Sequence, residues 1–119
     1  MKHPGTSKKT DEHRFLIDEI PDCDSRGLTI EHAGLELKLL LVRQKNRIYC
    51  YRNRCPHMGV NLDWVEHQFL DNSGELIQCA THGALFRIDS GDCISGPCYG
   101  QKLVSVKVEM GEDDFLILP

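Results

Sequence analysis

The apolar positions of this chain come in short bursts, most of them spaced by two. Phe15-Leu16-Ile17 and Leu28-Thr29-Ile30 are brief runs, each closed by turn residues, Ile20-Pro21-Asp22-Cys23-Asp24 and His32-Ala33-Gly34. From Leu35, the residues Leu35, Leu37 and Leu39 alternate with Glu36 and Lys38. The run to Arg43 then becomes continuously apolar, as a strand does when both its faces meet a core. Gln44-Lys45-Asn46 predicts a hairpin turn, and Ile48-Tyr49-Cys50-Tyr51 predicts the returning strand, with Cys50 on the core face beside Ile48. Gln68 to Asp71 and Leu76 to Cys79 flank Asn72-Ser73-Gly74, and Ala84 to Ile88 and Cys93-Ile94 flank Asp89-Ser90-Gly91-Asp92; both arrangements predict hairpins. Leu103 to Glu109 alternates again, with Val104, Val106 and Val108 on one face, and Phe115 to Leu118 follows a Gly-Glu-Asp-Asp turn. No segment holds a long 3.6-residue period, and nothing repeats. Short strands with turns at this spacing predict an all-β fold, an antiparallel sandwich or small barrel.

Length and charge narrow the possibilities. The 119 residues suit one domain over 15–119, preceded by a flexible lead-in, 1–14, that is rich in Lys, Thr and His. A net charge of −4 argues against nucleic acid as a partner, because phosphate contacts need a basic face. No run reaches the roughly 20 apolar residues of a membrane helix, and the start does not resemble a secretory signal. A reducing cytoplasm is therefore expected, with Cys23, Cys50, Cys93 and Cys98 as reduced thiols. His3, His13, His32 and His67 read as surface residues, and Trp64 and Phe69 as packing residues. Arg43, Lys45, Arg47, Arg52 and Arg54 concentrate basic charge, either as a solvated strand edge or as a patch that steers an acidic partner.

The chemistry concentrates in two loops. Cys55-Pro56-His57-Met58-Gly59 and Cys79-Ala80-Thr81-His82-Gly83 each carry one thiol and one imidazole, and each follows a predicted strand. Two sulfurs and two nitrogens suit a [2Fe–2S] cluster with two histidines on one iron, or a tetrahedral zinc ion. The Cys-x-His spacing is tighter than the usual zinc pair. The glycines after the histidines let backbone approach a bulky inorganic group.

This arrangement resembles the Rieske iron–sulfur domains. Their signature is Cys-x-His followed by Cys-x-x-His-Gly, and the likeness continues through His82-Gly83-Ala84-Leu85-Phe86, Ser90-Gly91-Asp92 and Ser95-Gly96-Pro97. The resemblance implies a cluster-binding subdomain over about 52–99, built from two β-hairpin loops and inserted in a β base. It implies one [2Fe–2S] cluster per chain, with Cys55 and Cys79 on the inner iron and His57 and His82 on the outer, electron-accepting iron. Pro97 would close over the cluster, and the outer edges of the two imidazoles would meet redox partners. Respiratory members carry a disulfide between the ligand loops and a serine after His-Gly. Val60, Thr81 and Ala84 stand at those places here, which implies a potential toward the low end of the range of roughly −150 to +300 mV.

No nucleotide-binding glycine loop, paired nucleophile and base, or 2-His-1-carboxylate site for mononuclear iron is present. An oxygenase subunit is expected to carry a large catalytic domain after such a cluster domain, and this sequence runs to Pro119. The expectation is an electron carrier and not an enzyme. It would resemble the Rieske-type ferredoxins that pass electrons from a flavin-dependent reductase to a terminal oxygenase by transient docking. The alternative is a small accessory subunit of a larger redox enzyme, such as an assimilatory nitrite reductase.

Overall fold

The structure, a computed structural model, describes residues 13–56, 62, 67–80 and 83–119. Among the described residues nine strands run in chain order: β1 (Arg14–Leu16), β2 (Asp24–His32), β3 (Leu35–Gln44), β4 (Arg47–Arg52), β5 (Leu76–Gln78), β6 (Leu85–Arg87), β7 (Cys93–Ser95), β8 (Ser105–Met110) and β9 (Asp114–Leu118). The only helical turn among the described residues is a 3-10 turn at Ile17–Glu19. All strand pairs are antiparallel. Six strands form one sheet in the order β1-β9-β8-β4-β3-β2, and β5-β6-β7 form a second. This is the predicted all-β, antiparallel class. Among the described residues no helix is long and apolar enough to cross a membrane.

β3 explains why two sheets stay together. Leu39, Leu40, Leu41 and Val42 are all buried. Alternate side chains of a strand point to opposite faces, so the apolar run feeds two cores. Leu39 and Leu41 join Ile20, Ile30, Ile48, Cys50, Phe115 and Ile117 in one. Leu40 and Val42 join Tyr51, Phe69, Ile77, Phe86, Ile88 and Leu103 in the other, under the small sheet. β4 divides in the same way, with Ile48 and Cys50 on one side and Tyr51 on the other. Phe15 closes the first core against Phe115, ring centroids 5.8 Å apart. The β3–β4 turn is held by Lys45 and Asn46 in the left-handed region, φ 53° and 62°, the conformation that two-residue hairpins prefer.

Four elements depart from the sequence pattern. The expected hairpin strand Gln68 to Asp71 is reduced to a single bridge from Leu70 to Ile77. β1 begins at Arg14, within the expected lead-in, and the His13 carbonyl accepts from the Ile117 N–H at 3.0 Å. β2 extends back to Asp24, although Asp24-Ser25-Arg26-Gly27 is polar. It is the outer strand of the sheet, and residues 67–69 lie along it. Ser25 Oγ donates to the His67 carbonyl (2.7 Å) and accepts from the Phe69 N–H (3.1 Å), while the Gly27 N–H donates to His67 Nδ1 (2.9 Å). An edge strand covered in this way needs no alternating apolar pattern. Val104 lies outside β8 and is 63% exposed, so only Val106 and Val108 of the expected face pack inward.

β4 and β8 are neighbours, with Cys50 opposite Val106 and Tyr51 opposite Ser105. The chain between them therefore leaves the base sheet, builds β5–β7 and returns. Tyr51 joins the two parts. Its hydroxyl donates to the Ile88 carbonyl at 2.6 Å, and its ring lies so near Gly91 that a Cβ there would come within 2.8 Å of Cε1. Burial, then the nearby Asp89 carboxylate, raise the Tyr51 pKa, so the phenol stays a donor. The Asn72-Ser73-Gly74 turn is organised by Asp71, whose Oδ1 accepts from Ser73 Oγ (2.7 Å) and the Gly74 N–H (3.1 Å). These bonds, Ser73's first, hold the Asp71 carboxyl below the usual carboxylate range. Their stabilisation is present above that range and is lost as pH falls through the folded-state value.

Replacing Tyr51 with Phe removes a buried donor and should cost about 1–2 kcal/mol, read as a lower urea midpoint at unchanged slope; an unmoved midpoint would show that this bond does not join the two parts. Cys23 is the one exposed cysteine of the six, and burial pushes the Cys50 thiol up to about 12. A thiol reagent should therefore label the native protein fast at one position per chain, and Cys23→Ser should remove that phase.

Candidate metal centre

The first loop starts where β4 leaves the sheet. The Arg52 N–H donates to the Val104 carbonyl and the Arg54 N–H to the Arg52 carbonyl, both at 2.9 Å, which turns the chain away. Asn53 is the pivot. Its N–H donates to the Lys38 carbonyl of β3 at 2.8 Å. Its side chain, only 8% exposed, accepts at Oδ1 from the Leu62 N–H at 2.7 Å. A buried amide is tolerated when it is bonded in this way. The Leu62 carbonyl in turn accepts from the Ala80 N–H at 2.8 Å. Base sheet, first loop and second loop are thus linked in series, with Cys55 two residues after Asn53 and Cys79 directly before Ala80.

The second loop connects β5 to β6. The Cys79 N–H donates to the Ala84 carbonyl (2.9 Å) and the Gly83 N–H to the Cys79 carbonyl (2.7 Å). Gly83 has φ 72°, a left-handed conformation that costs glycine little. A third loop, residues 96–101, backs onto the second. Gly96 has φ 101°, and a Cβ there would sit 2.8 Å from the Ala84 Cα, so only glycine permits this approach. The Gln101 N–H donates to the Cys98 carbonyl (2.8 Å), and the Cys93 N–H donates to the Gln101 carbonyl (2.9 Å).

Cys55 and Cys79 are both fully buried and lie in one apolar cluster with Leu62, Ala84, Phe86 and Cys98. Cys98 Sγ is 3.6 Å from Cys55 Sγ. No disulfide joins any of the six cysteines. His57 and His82, together with Val60, Thr81 and Trp64, lie outside the described residues. Pro97 is exposed on the third loop. Among the described residues no group of three or more His, Cys, Asp or Glu side chains closes around a metal position. The described sulfurs of Cys55, Cys79 and Cys98 thus form no three-donor group by themselves. A [2Fe–2S] cluster fits what is described. Cys55 and Cys79 place two sulfurs in one buried apolar cluster, where ferric iron would supply the charge that balances them as bound thiolates.

The basic residues do not form one patch. Arg43, Lys45 and Arg47 cluster at the turn of the β3–β4 hairpin, and Arg52 and Arg54 at its opposite end, beside Cys55. At about 3.4 Å per residue the two groups are roughly 17 Å apart. Arg43 is a structural residue. It donates to the Ile20 carbonyl (2.8 Å) and Asn46 Oδ1 (2.8 Å), and pairs with Asp18 at 3.7 Å. Phe69 packs in the core as expected, at 1% exposure. His67 is exposed as expected, yet its Nδ1 also secures the edge of β2.

The pattern along the chain gave no sign of Asn53, since an Asn after a basic strand looks solvated. Replacing it with Ala leaves the Leu62 N–H without this acceptor. The expected result is a loss of about 1–3 kcal/mol together with fewer irons per chain, measured by thermal unfolding and metal analysis. An unaltered melting curve at full iron content would refute the link.

Comparison with known proteins follows from this geometry. No curated protein sequence matches the chain. Among solved structures, the ferredoxin of carbazole 1,9a-dioxygenase from Nocardioides aromaticivorans IC177 is similar with a TM-score of 0.69 at 19% identity, over 90% of this chain and 95% of that one. A complex of reduced oxygenase and oxidized ferredoxin in carbazole 1,9a-dioxygenase matches with a TM-score of 0.67 at 21% identity, over 88% of this chain and 89% of that one. The terminal oxygenase of carbazole 1,9a-dioxygenase from Novosphingobium sp. KA1 matches with a TM-score of 0.68 at 24% identity, over 89% of this chain but 29% of the oxygenase. At these identities the likeness is one of fold. The Rieske [2Fe-2S] domain description matches residues 15–114, most of the chain. With two buried cysteines at the meeting of its loops, the chain belongs to the Rieske [2Fe–2S] domain family, whose members bind one such cluster.

Proposed function

We propose that this protein is a one-electron carrier that takes electrons from a flavin-dependent reductase and delivers them to a terminal oxygenase. Cys55 and Cys79 would hold one iron of the cluster, and His57 and His82 the other. The observation that carries this reading is the burial of both cysteines in one apolar cluster, at loops bound to each other through Leu62 and Ala80. When bound, the cluster supplies reversible one-electron chemistry.

The chain's own residues set the conditions for that exchange. Leu62, Phe86 and Leu103 keep water from the cysteine side. A low dielectric strengthens hydrogen bonds aimed at the sulfurs. The Asn53–Leu62–Ala80 series holds the loops in place, so little need rearrange when charge changes. Arg52 and Arg54 put positive charge beside the first loop, where an acidic partner surface would be steered. Encounters of this kind use small interfaces, below about 1,200 Å². The partner assignment is supported by the fold neighbours, which include a ferredoxin and a ferredoxin–oxygenase complex. Six cysteines without a disulfide fit a reducing compartment, the cytoplasm.

Cys55→Ala and Cys79→Ala should each abolish iron binding and visible colour. His57→Ala and His82→Ala should each remove the Rieske-type EPR signal. In reconstitution with a flavin reductase and a Rieske oxygenase, the loaded protein should raise product formation at least tenfold over reductase and oxygenase alone. A protein that holds its iron with both histidines replaced, or that is reduced by no flavin reductase, would contradict this reading.

A further inference from the structure

The geometry points to Cys98 as a positioning residue for the cluster: its thiol donates an S–H···S hydrogen bond to the Cys55 sulfur and favours the reduced state. This rests on the assignment of Cys55 as an iron ligand. The two sulfurs are 3.6 Å apart, and both residues are fully buried. By distance alone either sulfur could donate. Coordination decides the direction, because an iron-bound cysteine is a thiolate and carries no proton. Cys98 is then the donor of this pair.

Cys98 is held where it is by backbone. The Tyr99 N–H donates to the Gly96 carbonyl at 3.1 Å, the Gln101 N–H to the Cys98 carbonyl at 2.8 Å, and Gly96 lies against the Ala84 Cα. The neighbouring thiol of Cys93 points elsewhere, donating to the Ser95 carbonyl at 3.3 Å. Among the described residues Cys98 joins no three-donor group. A thiol is a weak donor, but a buried site makes a weak bond count for more. Reduction adds one negative charge to the cluster and its ligands, so a donor aimed at a ligand sulfur stabilises the reduced form more than the oxidised one.

The test compares wild type, Cys98→Ala and Cys98→Ser, each loaded with iron and checked by its EPR and visible spectra. At a fixed applied potential the reduced-to-oxidised ratio of Cys98→Ala should fall about threefold, the worth of one weak hydrogen bond. Cys98→Ser keeps a donor and should match or exceed the wild-type ratio. Equal ratios in Cys98→Ala and wild type would overturn the proposal, as would an equal fall in both variants, which would mean that packing alone matters. Should Cys98→Ala not retain its cluster, Cys98→Ser decides: a ratio at or above wild type supports the bond, and one below overturns it. Cys55→Ala separates the two claims, because a cluster retained in that variant would remove Cys55 as a ligand whatever Cys98 does.

Discussion

Two cysteines far apart in sequence have to reach one buried point, and hydrogen bonds in series bring them there. Lys38 fixes Asn53, Asn53 fixes Leu62, and Leu62 fixes Ala80, each at 2.7–2.8 Å. A buried bond of this kind adds only about 1 kcal/mol net. Its effect on position is larger, because it ties Leu62 to both the base sheet and the second loop. Any change that loosens the series should first affect metal retention and only then the fold.

The base sheet makes this economical. β3 is apolar on both faces, so the same four residues bind β9 from below and the small sheet from above. Tyr51 and Gly91 repeat the linkage on the next strand through one hydrogen bond and one close contact. The site therefore sits on the second core and not at the end of a separate arm. Its sulfur side is dry by construction, while Pro97 and Tyr99 remain exposed on the third loop.

Much of this was legible in the sequence, and the exceptions share a cause. Leu39 to Val42 announced a strand with two buried faces, because a continuous apolar run has no other stable place in an antiparallel fold. Gln44-Lys45-Asn46 and Asp89-Ser90-Gly91-Asp92 announced turns through their polar turn residues between apolar runs, and Asn46 and Gly91 do adopt positive φ. The polar start of β2 was illegible because a distant segment, residues 67–69, satisfies its outer edge. Val104 alternates correctly yet lies beyond the strand, where period alone cannot mark the end. The approach of Cys98 to Cys55 bridges 43 positions in sequence and depends on the fit of Gly96 against Ala84. The loss of a donor expected at Ala84 was visible locally, whereas the thiol donor at Cys98 needed the fold.

The central claim is that two cysteines and two histidines share one [2Fe–2S] cluster. Pulsed EPR on the reduced wild-type protein tests it most directly, through the hyperfine coupling of nitrogen to the cluster spin. The account predicts strong coupling to two inequivalent imidazole nitrogens. A reduced cluster with no strongly coupled nitrogen would mean sulfur ligation throughout and would contradict it.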